Sequence, residues 1–162
     1  MSEAAVVSDA SPLHYLILIR AVELLPRLVA DVFIPPAVAQ ELDRESTPPE
    51  VRQWMAQPPA WLKTVAPRQI NRSLGLDLGE TEAIALAIEL GIRSIIIDER
   101  KGFRVAAAQG LEPLGLLAIL ELSAAKGWID FEEYTNRLRR TNFRFREGLI
   151  AGALQRLQGN KS

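Results

Sequence analysis

The side chains best able to do chemistry in this chain are carboxylates. It holds 20 Asp plus Glu, no cysteine, and one histidine, His14. Thiolate zinc sites, cysteine nucleophiles, disulfide frameworks and multi-histidine metal sites are therefore excluded. A bound metal would have to be a hard cation held through oxygen. Four acids stand out by position. Asp9 ends the apolar run AAVVS (4–8), and Asp98 ends SIIID (94–98). Glu41 shares a helical stripe with Val38, Leu42 and Glu45, and Glu80 shares one with Ala83, Ile84 and Ala87. Each has an ordinary reading beside the chemical one. Asp9 and Asp98 could cap turns or helices. Glu41 could pair with an arginine at the stripe's edge, and Glu80 could simply favour a helix N-terminus. Glu82 lies on the side marked by Glu89 and stands as a back-up to Glu80. Four carboxylates converging without a cation would repel one another. A divalent ion resolves that conflict, and carboxylates plus water suit Mg²⁺ or Mn²⁺, which can acidify a water for attack on a phosphate.

The elements that must position these acids alternate. Short apolar runs at 4–8, 31–35 and 94–98 read as strands, with an edge segment at 59–67 and a strand or turn at 111–115. Helical patterns follow them: 12 to about 25, starting from an Ser11-Pro12 cap, then 36–44, 48–57, 81–90, 101–110, 116–127, 131–140 and 146–158. The stretch 70–80 is the longest loop expected. Strand followed by helix implies βαβ units, hence a three-layer α/β/α sandwich with a mainly parallel sheet of four or five strands. In such sheets functional groups gather at the carboxyl ends of the strands, where Asp9 and Asp98 fall.

The 162 residues suit one domain spanning 1–162, with a core at 4–125 and a C-terminal helical extension at 126–158. No apolar run approaches the length of a membrane span, and the first residues lack a signal-peptide pattern, so a cytoplasmic protein without membrane association is expected. Charge is uneven. Residues 1–125 carry 11 basic and 16 acidic side chains, and 126–162 carry 8 and 4. Within the basic end, RLRRTNFRFR (137–146) has five arginines and no acid, with Phe143 and Phe145 interleaved. That composition suits single-stranded nucleic acid, through phosphate attraction and stacking. The competing reading, which we favour, packs both phenylalanines into the core. His14 and the tryptophans at 54, 61 and 128 read as packing or dimer-contact residues. GLDLG (75–79) is no phosphate-binding loop.

VSDASPL, IPPAVAQEL, LGETEAIALA and IIIDERKGFRVA resemble, in order and spacing, the four acidic blocks of PIN domains, over residues 6–125 and into the C-terminal helices. The wording is similar to a DASPL/GExEAIALA branch of that family. The resemblance implies a small metal-dependent nuclease, many of whose relatives are toxins of type II toxin–antitoxin systems. It implies that Asp9, Glu41, Glu80 and Asp98 are catalytic metal ligands for Mg²⁺ or Mn²⁺, and that Ser11 supports the first acid. Many PIN nucleases carry a further Asp or Asn after the last acid. Here Glu99 stands nearby instead, followed by Arg100, Lys101 and Arg104, which suit substrate phosphate. With Arg140 and Arg144 they form the expected nucleic-acid contacts. The expected function is ribonuclease action on single-stranded or structured RNA, with an antitoxin as a possible partner and a homodimer or higher oligomer as the assembly. The alternative is a non-catalytic PIN-like module that binds nucleic acid or protein. Receiver and haloacid-type phosphatase readings fail, because VSDASPL offers neither an acidic pair nor a DxD-like loop.

Overall fold

The computed structural model describes residues 4–159. Five strands, β1 (Ala5–Ser8), β2 (Asp31–Ile34), β3 (Leu62–Thr64), β4 (Ser94–Ile96) and β5 (Glu112–Leu114), form one sheet in the order β3-β2-β1-β4-β5. Every pairing is parallel. The chain begins at the centre of the sheet, builds outward through β2 and β3, then returns to the other side of β1 for β4 and β5. That reversal makes a crevice beyond the carboxyl ends of β1 and β4. The Asp9 N–H donates to the Ile96 carbonyl at 2.9 Å and fixes the two strand ends together.

Side chains alternate across the sheet, as the strand period of two requires. Val6 and Ile96 enter a core roofed by α1 (Ala10–Leu18), α7 (Leu116–Ala125), α8 (Phe131–Arg139) and α9 (Glu147–Gly159). Val7, Ile95 and Ile97 enter a second core under α5 (Leu78–Leu90) and α6 (Arg100–Ala108). The sheet is thus covered on both faces, which explains its nearly continuous apolar strands. At one edge, α3 (Pro36–Leu42) packs against α5, and α4 (Pro49–Ala56) against α1. Phe131, Leu138, Ile150, Ala153 and Leu157 lie in the same core as β1, so the helices after residue 126 are built into the sandwich. No helix among the described residues is long and apolar enough to cross a membrane.

Several element boundaries differ from expectation. The first helix starts at Ala10, with Asp9 at the N-cap position, so Ser11 and Pro12 lie inside its first turn. It also stops at Leu18. Arg20 adopts φ +59°, and after a 3₁₀ turn at Val22–Leu24 a short helix, α2 (Leu25–Leu28), begins. Pro26 lies in the first turn of α2, where its missing N–H costs nothing. α5 opens at Leu78, inside the segment expected to be loop.

Candidate active site

Asp77 explains the early start of α5. Its Oδ1 accepts from the Glu80 N–H at 2.8 Å, and Glu80 Oε1 accepts from the Asp77 N–H at 3.4 Å. This reciprocal capping box satisfies two otherwise orphaned donors. It also leaves the second oxygen of Glu80 without a hydrogen-bond partner. The signal was present in the sequence as Asp77-x-x-Glu80, but Asp77 was not singled out there.

The crevice is a cleft of about 740 Å³ whose walls include Asp9, Glu41, Asp77, Glu80, Asp98 and Glu99. All four acids expected from the sequence are therefore brought to one place, and Asp77 joins them. Asp9 and Glu80 are only 7 % and 4 % exposed, an unusual depth for carboxylates. Burial pushes the Asp9 carboxyl up to about 7, and Asp77, Glu41 and Asp98 push it further the same way, against an opposing hydrogen bond from the Ala10 N–H. Burial likewise raises Glu80 to about 8, helped by Asp77, Asp9 and Glu99. Asp98 rises to about 6 through burial, opposed by its hydrogen bond from the Leu116 N–H. Glu41, half-buried, is raised by burial and then by Asp77. Asp9 interacts by charge with Asp77, Glu41, Asp98 and Glu80.

Two carboxylate oxygens in this cleft, Glu80 Oε2 and Asp98 Oδ2, are buried without a hydrogen-bond partner. Their other oxygens are committed. Asp98 Oδ1 caps α7 by accepting from Leu116 N at 2.9 Å. Asp98 therefore does not cap α6, the helix that follows it; Glu99 does, accepting from Gly102 N at 2.8 Å. The free oxygen of Glu80 is walled in closely: a Cβ on Gly102 would run into Glu80 Oε2 and Ile97. One on Gly115 would come within 2.8 Å of Asp98 Oδ1, the oxygen that caps α7. Among the described residues, no three acidic or histidine side chains form a closed metal-ligand set as they stand. Mg²⁺ and Mn²⁺ do not need a closed protein cage, since Mg²⁺ keeps several waters and takes one or two carboxylates. Buried carboxylate oxygens without a hydrogen-bond partner are the donors such an ion would satisfy.

The family model of a PIN domain matches residues 5–159. The chain belongs to the PIN domain family. PIN domains are generally nucleases and typically use divalent metal ions. Comparison with curated proteins and with solved structures finds no match. The fold described above, a five-stranded all-parallel sheet between helical layers, is the architecture expected of the family.

The remaining residues of interest sort themselves by geometry. Ser11 lines the cleft beside Asp9. Glu82 does not line it. Its Oε1 accepts from the Ala37 N–H at 3.0 Å, so it caps α3 from a neighbouring helix. Lys101 donates to the Gly75 carbonyl at 2.8 Å, which ties it to the loop before α5. Arg100 and Arg104 line an adjoining groove with Arg144 and Arg146, together with Phe103 and Phe145. Arg139 is held by Glu147 and Arg137 by Glu133, while Arg140 lines a different cavity. In the irregular stretch 143–146, Phe143 and Phe145 are half-buried and the arginines exposed. The Phe143 ring meets Tyr15 edge-on at 5.0 Å, so the phenylalanines do pack on the core, yet they also form a wall of the acidic cleft. Facing so many acids, the cleft lining offers the cations Arg144 and Arg156, and Arg156 is bound to Glu121 by two hydrogen bonds of 2.8 and 2.7 Å. His14 is half-buried against Tyr15, at 4.7 Å, and Trp54 rests on Trp61 at 5.7 Å, as packing residues do.

Proposed function

We propose that this PIN domain is a divalent-metal-dependent ribonuclease that hydrolyses phosphodiester bonds in the acidic cleft. The observation that carries this is the pair of buried, unpartnered oxygens, Glu80 Oε2 and Asp98 Oδ2, beside Asp9 at the carboxyl end of the central strand. Asp9, Glu80 and Asp98 would hold an Mg²⁺ or Mn²⁺ ion, with Glu41 at the cleft's outer side. When bound, the ion supplies Lewis acidity toward a phosphate oxygen and a lowered pKa for water. The chain's own residues do the rest. Asp77 fixes the rotamer of Glu80 through the capping box, and the Leu116 N–H fixes Asp98. Arg144 faces the acids and would offset phosphate charge, while Arg100, Arg104 and Arg146 line the way in. RNA is favoured over a small phosphate ester by that groove, where arginines alternate with Phe103 and Phe145. A toxin restrained by an antitoxin is one setting for such activity, and growth arrest on expression that depends on Glu80 is its readout.

The test is cleavage of single-stranded RNA with Mn²⁺ and with chelator. Cleavage should need the metal and should be lost in Glu80→Gln and Asp98→Asn while both variants keep native circular dichroism. RNA binding without metal-dependent cleavage by the wild-type chain would replace this reading with that of a non-catalytic binding module.

A further inference from the structure

A second cavity, of about 610 Å³, lies where α1 ends, α4 begins and α8 ends. Its lining includes Arg20, Glu50, Arg137, Arg140 and Asn142. It is separate from the acidic cleft yet adjoins it, because Asn142 lines both and accepts a 2.6 Å hydrogen bond from the Tyr15 hydroxyl at the cleft. Residues 141–146, a turn at 141–142 followed by an irregular stretch, border all three openings in turn. Thr141 and Asn142 border this cavity, Asn142 to Phe145 border the acids, and Arg144 to Arg146 border the arginine groove.

The cavity's cations divide into two kinds. Arg137 is spent on structure: it donates to the Ile19 carbonyl at 3.0 Å and pairs with Glu133. Arg20 and Arg140 are exposed, and neither joins an ion pair among the described residues. Arg20 is also the one non-glycine residue among those described with positive φ, at +59°. Glycine or asparagine is the residue that suits this conformation. This conformation closes the C-terminus of α1, the Arg20 N–H donating to the Ile17 carbonyl at 3.1 Å and the Ala21 N–H to the Leu16 carbonyl at 2.8 Å, and it leaves the Arg20 side chain exposed on the cavity wall. The single acid on the wall, Glu50, is exposed and leaves the site net cationic.

We propose that this cavity is a second backbone-phosphate subsite, in which Arg20 and Arg140 hold the nucleic-acid strand on the far side of the Tyr15–Asn142 bridge from the arginine groove. A strand lying along segment 141–146 then runs from the groove, over the acids, and into the cavity, so it is held on both sides of the phosphate to be cut. The inference rests on the ribonuclease reading above.

The experiment is binding of a labelled single-stranded RNA of about 20 nucleotides, long enough to reach all three openings. It is done with chelator present, across a range of salt concentrations, for the wild type, Arg20→Asn, Arg140→Gln and the double variant. Each lost phosphate contact should reduce the log–log salt slope by about 0.7, hence by about 1.4 in the double variant. Arg20→Asn should melt no lower than the wild type, because asparagine accepts the left-handed backbone, which keeps a loss of binding from being a loss of folding. A double variant with the wild-type salt slope and affinity overturns the subsite while leaving the ribonuclease reading standing. Failure of the wild type to bind RNA both with chelator and with Mn²⁺ overturns both.

Discussion

Glu80 and Glu82 sit two residues apart on α5 and have different tasks. Glu80 turns into the cleft, and Glu82 reaches across to cap α3, the helix that carries Glu41. Glu80→Gln should therefore remove RNA cleavage by a hundredfold or more, about the upper end of what outer-sphere changes do. Glu82→Gln keeps an amide oxygen for the Ala37 N–H and should retain most activity. Glu82→Leu should lose about 10- to 100-fold, because α3 and Glu41 are no longer held. Steady-state cleavage rates for the three variants check this ordering, and equal losses for Glu80→Gln and Glu82→Gln would contradict it. The buried acids also set a pH dependence. Asp9, Glu80 and Asp98 bind their protons more tightly folded than unfolded, with values of about 7, 8 and 6 against ordinary values of 3.8 to 4.5. Their contribution to stability is then full below about pH 4 and is lost as pH rises through about 6 to 8. Metal-free protein should melt several degrees lower at about pH 8 than at about pH 5, and calorimetric scans would show it. A melting temperature that rises over that interval would mean the acids are not held as described.

Elements deliver these side chains through close packing that tolerates little change. α6 approaches α5 at Gly102, against Glu80 and Ile97. Gly102→Ala should displace the Glu80 carboxylate and lower cleavage more than it lowers stability, and comparing rate with melting temperature separates the two effects. Much of this arrangement was legible in the sequence. The apolar runs ending at Asp9 and Asp98 marked the two central strands, and the stripe through Ala83, Ile84 and Ala87 set the phase that turns Glu80 inward. What was hidden has physical causes. The break after Leu18 rests on a left-handed Arg20, a residue type that gives no turn signal. The start of α5 rests on a capping box inside a glycine-rich stretch that looked like loop. The dual role of Phe143 and Phe145 rests on a ring contact and a hydrogen bond to Tyr15, over a hundred residues away along the chain, which no local pattern records.

Across the whole molecule, the acidic bulk and the basic C-terminal end meet at the cleft. α9 lies against the core through Ile150, Ala153 and Leu157, and is tied to α7 by Arg156 and Glu121. A chain ending at residue 140 exposes that face of the core and loses the Phe143–Phe145 wall. At about 1.5–3 kcal/mol for each large apolar side chain returned to water, the loss is comparable with a typical total stability. Such a truncation should show no cooperative thermal unfolding, and a native-like melt would contradict the integral place given to α9. The central claim, that the buried carboxylates are a divalent-ion site, is tested most directly by titrating the metal-free protein with Mn²⁺ in a calorimeter, in buffers of different ionisation enthalpy. Because Asp9 and Glu80 hold protons near neutral pH, binding should release protons. It should strengthen from about pH 6 to about pH 8, and it should weaken sharply in Asp98→Asn. Absence of Mn²⁺ binding by the wild-type protein at about pH 8, or binding that Asp98→Asn leaves unchanged, would contradict it.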